Sequence, residues 1–528
     1  MEHIYLVIAA LIPFVLIFYL MIIKKWAAIK VMPLTWVVTV LLVLFIWKIS
    51  FVWAIASFFR GILLAIEIGL IIFGAVWLLE IYKESKAILS IQSFLVSISP
   101  DIRIQAIIIA WLFASLIEGV AGFGTPVALA APLLVSIGFT PIASVVISLI
   151  GNSAPVSFGA AGTPILLGLG SLGFKEEVLR EVATNSALMH LIAGSFVPIV
   201  IVYFITHFMV DKKDRNSRSF YKIIPFALFS GLSFTIPYYF IAAYVGMELP
   251  SIGGGVIGLL FVGFAAKFGF LVPKEKITFK HHKKLKIVRK RRIFVSIIPY
   301  LIIIIGLLVS RVVLSVKEKL NSFYLGFDSL LGLDYSYNLA VFYTPSFYFI
   351  LAGIVALFLF GVNAKTRNKT VKETLGKIKK PIIALIFALA LVQLLLISGN
   401  NIFGIGSIPL ILANSLADLT GKNYVIIAPF VGLLGAFIAG SNTVSNLLFG
   451  SFQGQIAISL GISVALVLAL QTVGGAIGNM IAIHNVLAAS ATVGLHGEEG
   501  RIIRKTIIVS LGYALIVGII GFLFVLFS

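Results

Sequence analysis

The 528-residue chain is 60% hydrophobic and only 11% charged, carries a formal net charge of +20, and contains no cysteine. An ordinary soluble domain holds roughly 25% charged residues, so a water-soluble enzyme is excluded, and disulfides, thiolate metal sites and a cysteine nucleophile go with it. Nucleic-acid binding is excluded as well: the positive charge sits in short connections between apolar runs, without the fold cues of such binders.

Met1, Glu2 and His3 lack the basic start of a cleaved signal, so the first apolar run is read as a retained span. Spans are expected at 4–23, 31–50, 61–81, 142–170, 185–208, 223–245, 252–272, 293–315, 345–363, 381–400, 462–490 and 506–527. Each is long enough for a hydrocarbon core about 30 Å thick. The fold class is all-α and polytopic, about 12 spans plus two re-entrant hairpins.

The hairpins are expected at 104–136 and 424–460. Each stretch is apolar at both ends and polar and glycine-containing in the middle, too short for two crossings and too long for one. Non-helical backbone at that depth survives only where protein or a watery cavity satisfies it. Loop charge agrees with this reading. Basic runs fall at 24–30, 211–222, 274–292, 364–380 and 501–505, whereas 172–181 is not basic. If neither hairpin crosses, every strongly basic loop is cytoplasmic and both termini lie outside.

The two stretches also mirror one another. Gly119 precedes Asn152 by 33 residues, and Gly440 precedes Gly474 by 34. Each interval runs from a hairpin tip to a polar break, GNSAPVSFGAAGTP at 151–164 or TVGGAIGNMIAIHN at 472–485. Residues 1–210 and 293–528 therefore read as inverted repeats joined by a two-helix connector at 223–272. Paired broken segments in corresponding halves point to a transporter's binding site.

The chemistry expected there suits a small anion. Gly119, Gly122, Phe123, Gly124, Thr125 and Pro126 form one tip; Ser441, Asn442, Thr443, Ser445 and Asn446 form the other. Asn152, Ser153, Thr472, Gly474, Gly475 and Asn479 line the walls. Glycines admit close backbone approach, and half-helix N-termini aim amides at a carboxylate. Glu118 is the sharpest candidate, because an ionised carboxylate at the bilayer centre is costly. Two roles are open to it, a proton carrier or a cap on the following half-helix. His484 stands beside the second break and is the other proton-coupling candidate. His190, Glu67 and Arg60 read as structural, the last two as a buried pair or a snorkelling cation. No metal ligand set, cofactor motif or catalytic constellation is found.

Several of these segments carry a resemblance. SPDIRIQ (99–105), EGVAGFGTPVALAAPLL (118–134), NSAPVSFGAAGTPIL (152–166), VGMELP (245–250), GSNTVSNLLF (440–449), TVGGAIGNM (472–480) and VLAASATVGL (486–495) resemble the L-lactate permeases. That resemblance implies a secondary transporter in a prokaryotic plasma membrane, importing L-lactate, glycolate and related 2-hydroxy monocarboxylates with a proton. It also implies no cofactor and, from the wider superfamily, a homodimer moving by an elevator motion. SNT at 441–443 is similar to the tip motif of sodium-coupled dicarboxylate carriers, so a sodium-coupled organic-anion carrier, with Na+ as coupling ion, is the alternative reading. Typical members carry Asp where this chain has Asn442 and Lys where it has Asn479. Loss of both together fits an ion pair, since losing one partner strands a buried charge.

Overall fold

The computed structural model describes the chain except residues 1, 25, 123, 209–216, 279–289, 496–497 and 528, and the side chains of 2–4, 21–22, 92, 208, 217–218, 290–291, 311, 484 and 491. Phe123 and the side chain of His484 thus lie outside the described residues. Eleven of the described helices are long and apolar enough to cross a membrane. The chain is an all-α polytopic membrane protein.

Two 34-residue helices, Phe51–Glu84 and Ala364–Ile397, form the central pair. At 1.5 Å per residue each is about 51 Å long, well beyond the hydrocarbon thickness. They run antiparallel: Gly61 lies against the backbone of Ala390, Gly69 against Ile382, and Trp77 Nε1 donates to Thr370 Oγ1 at 3.2 Å. At the far end Lys369 pairs with Glu84 at 2.9 Å and Lys377 with Glu80 at 2.8 Å. The basic run 364–380, expected as a connection, is therefore the first half of a helix. Its Thr370, Thr374 and Ile378 are buried along one stripe while its lysines stay outside, as an amphipathic helix end requires.

After each of these helices the chain makes a turn within buried surroundings. Ile102–Ala121 runs to Gly122 and Gly124, both at positive φ, and returns as Thr125–Ser136. Tyr424–Ala439 ends at Gly440, φ 71°, and Asn442–Leu460 returns. The first arm is held at its base by the SPDIRIQ segment. Asp101 caps it by accepting from Arg103 N at 2.9 Å, and its carboxylate takes the Arg103 guanidinium at 2.6 and 3.0 Å. Arg103 also donates to the carbonyls of Ser219 and Glu275, pinning the arm to the connector.

Each hairpin is followed by an interrupted helix. Pro141–Gly151 stops at Asn152; a 3-10 turn, Ala154–Phe158, follows. Ala160, Ala161 and Gly162 then take left-handed dihedrals in succession (φ 43°, 53° and 77°) before Pro164–Leu169 resumes. Val464–Gly478 stops at Asn479 and the chain resumes helix at Ile483–Thr492. The sequence reading omitted helices Ala87–Ser97 and Ile408–Thr420 and the antiparallel strands Tyr324–Phe327 and Tyr337–Ala340. Arg60 and Glu67 do not pair. Arg60 stacks on the Tyr335 ring at 4.1 Å, and Tyr337 donates to Glu67 at 3.4 Å.

Candidate functional site

Both tips and both interruptions meet at one small cavity of about 20 Å³. Glu118 and Gly122 come from the first tip, and Gly440, Ser441, Asn442 and Thr443 from the second. The first break supplies Val156, Gly159, Ala160, Thr163 and Pro164, and the second supplies Asn479. Glu118 is the only ionisable side chain among these lining residues, and none of them is cationic.

Glu118 occupies the last turn of its helix and is 2% exposed. Asn152 Nδ2 donates to its Oε2 at 2.8 Å. The other oxygen lies over Gly159, where a Cβ would overlap it. The capping role is not seen: the return helix starts at Gly124 without a side-chain cap. Glu118 is instead a wall group facing the cavity, steadied on one edge by an amide.

On the opposite side, helix Asn442–Leu460 starts at the cavity. Its N-cap Ser441 makes no side-chain capping bond, so the first N–H groups have no acceptor within the helix. Behind them a polar lattice fixes the tip. Asn442 Nδ2 donates to Thr472 O at 3.0 Å, and its Oδ1 lies over Gly475, where no side chain would fit. Ser445 Oγ donates to Gly432 O at 2.8 Å and accepts from Gln471 at 3.0 Å. Asn446 Nδ2 reaches Thr472 Oγ1 at 3.0 Å and, in the other half of the chain, Pro164 O at 2.9 Å. Thr163 and Thr443 hydroxyls meet at 3.4 Å.

The expected residues thus fall into four groups. Glu118, Gly122, Ser441, Asn442, Thr443 and Asn479 line the cavity, with Asn152 on Glu118. Ser445, Asn446, Thr472 and Gly475 support the second tip, and Gly474 admits the carbonyl of Pro429. Gly119 packs on Ile252, and Ser153 bonds its own helix at Ile150 O, both away from the cavity. Gly124, Thr125 and Pro126 open the return helix. Asn442 and Asn479 share the cavity but are not bonded to each other; Asn479 accepts from Asn485. His190 is buried between Ser157 at 2.8 Å and Tyr513 at 2.7 Å, bracing the first break from behind.

Gly159, Thr163 and Pro164 were in a segment recognised as a break without being singled out, and Asn485 was overlooked beside His484. The left-handed alanines carry no sequence signal, because that conformation is one alanine ordinarily avoids.

Spanning helices around a small cavity lined by two hairpin tips fit a membrane carrier. The chain belongs to the L-lactate permease family, whose profile matches residues 6–527. It is a transporter and not an enzyme. Relatives include a putative L-lactate permease of Haemophilus influenzae, 34% identical over 537 residues and covering 96% of each chain. The L-lactate permease of Bacillus subtilis is 28% identical (98% of this chain, 95% of that one), and a glycolate permease of Escherichia coli is 27% identical with the same coverage. Among solved structures, the YdaH transporter of Alcanivorax borkumensis aligns with TM-score 0.44 at 15% identity, over 88% of this chain and 86% of that one.

Proposed function

We propose that the protein imports L-lactate, glycolate and related 2-hydroxy monocarboxylates across a prokaryotic plasma membrane by proton symport, with Glu118 as the proton carrier. The observation that carries the reading is that, among the described residues lining the cavity, Glu118 is the only ionisable side chain and none is cationic. The substrate carboxylate meets the uncapped amides at Ser441 and Asn442. An ionised Glu118, itself buried beside the cavity, would repel it, since Coulomb interactions are weakly screened at buried sites. Anion and proton therefore enter and leave together. The names of the relatives support the substrate class.

The proposal extends to two inverted halves with both termini outside, assembled as a homodimer and cycling by an elevator motion. The element order supports the first part: a 34-residue helix, a short helix, a hairpin and an interrupted helix occur in that order in each half.

Uptake of labelled lactate into proteoliposomes, driven separately by a pH gradient and by a sodium gradient, tests the reading. Accumulation under the pH gradient alone is expected. Accumulation with sodium at zero pH gradient, and none with the pH gradient, would overturn proton symport in favour of sodium coupling.

A further inference from the structure

Asn485 was not among the residues expected at the site and does not line the cavity, yet its bonds govern one that does. It sits on the helix Ile483–Thr492, is 4% exposed, and faces the last residues of the second break. Its Nδ2 donates to Asn479 Oδ1 at 2.5 Å and lies 3.3 Å from Asn479 O. Its own Oδ1 has no hydrogen-bond partner and points at the first tip, where a Cβ on Gly124 would come within 2.8 Å of it.

A carboxamide has two chemically opposite ends, and which end meets a ligand is decided by what the other end is bound to. Asn479 lines the cavity. With its Oδ1 engaged by Asn485, the end left for the cavity is the NH2 group, which donates to no protein group among the described residues. An NH2 group is what a carboxylate requires; the carbonyl end would repel it. We infer that Asn485 is a positioning residue for substrate binding: it fixes the flip of the Asn479 amide so that Nδ2 donates to the carboxylate of the transported anion. Asn479 touches the substrate, and Asn485 acts through it.

This inference rests on the proposal that the cavity holds a monocarboxylate, and it adds which neutral donor does the work in a site whose described lining residues include no cation. A hydrogen bond to a charged group contributes about 1.5–3 kcal/mol, so its loss should raise KM by roughly tenfold to a hundredfold. The maximal rate should change little if the bond is made equally before and during translocation.

The test is lactate counterflow in proteoliposomes with wild type, Asn485→Leu and Asn485→Asp, each alone and in the Asn479→Ala background. Leucine removes the donor at similar volume. Aspartate accepts instead of donating, and would turn the Asn479 NH2 away from the cavity. Each single variant is expected to raise KM at least tenfold, and neither is expected to raise it further once Asn479 is alanine. An unchanged KM in whichever single variant is recovered folded would overturn the inference. So would effects that simply add in the double variants, because they would mean that Asn485 acts through packing on Gly124 and not through Asn479. Absence of lactate counterflow in the wild type would instead strike the proposed function itself, and this inference with it.

Discussion

At the scale of single residues, the proposed site arranges neutral groups tightly around one carboxyl. Gly159 and Gly475 matter because oxygen atoms of Glu118 and Asn442 occupy the space their side chains would need. Gly159→Ala and Gly475→Ala are each expected to abolish lactate uptake while leaving membrane expression near wild type, which immunoblotting beside transport assays would check. Glu118→Gln keeps shape and hydrogen-bonding capacity but cannot exchange a proton. It should lose accumulation driven by a pH gradient while lactate counterflow survives; unchanged driven uptake would reject its carrier role. Glu118, Asn442 and Gly475 were legible in sequence because charge, asparagine and glycine are conspicuous against an apolar background, whereas Gly159 is one glycine among several in its break. Asn485 was not legible either, since one more asparagine in a polar break differs from its neighbours only by the bond it makes.

At the scale of elements, the helices and hairpin turns were legible wherever apolar length and glycine punctuation coincided, as at Gly122 to Gly124 and at Gly440. They were hidden where helix continues into polar sequence. Residues 364–380 read as a loop because lysines alternate with threonines, and only burial of Thr370, Thr374 and Ile378 reveals the stripe. Helix Ile408–Thr420 carries Asn414 and Asp418 and, at 13 residues, is too short to read as a span by itself. The base of the first hairpin offers an element-level test. Arg103 is 1% exposed and Asp101 fully buried, so Arg103→Met leaves a carboxylate without its partner. A destabilisation of about 3–5 kcal/mol is expected, seen as a lowered melting temperature in detergent. Converting both to apolar residues should cost much less. Ala161→Gly at the left-handed turn should do the opposite, relieving about 1–2 kcal/mol of backbone strain and raising thermal stability.

At the scale of the whole molecule, the absence of cysteine makes topology directly testable. A single cysteine in place of Lys175 should react with an impermeant maleimide from outside intact cells, and one in place of Gly376 should react only after permeabilisation; the reverse pattern would overturn the proposed orientation. The bonds between halves carry a different implication. The second tip is fastened to the first break through Asn446 to Pro164 and Thr443 to Thr163, and the second break abuts the first tip through Asn485. Ownership of the cargo is thus shared: neither half of the polypeptide possesses a complete container, and the chamber exists only as a seam between them. If the chain is divided at 279–289 and the pieces are expressed together, transport should return; either piece alone should bind nothing.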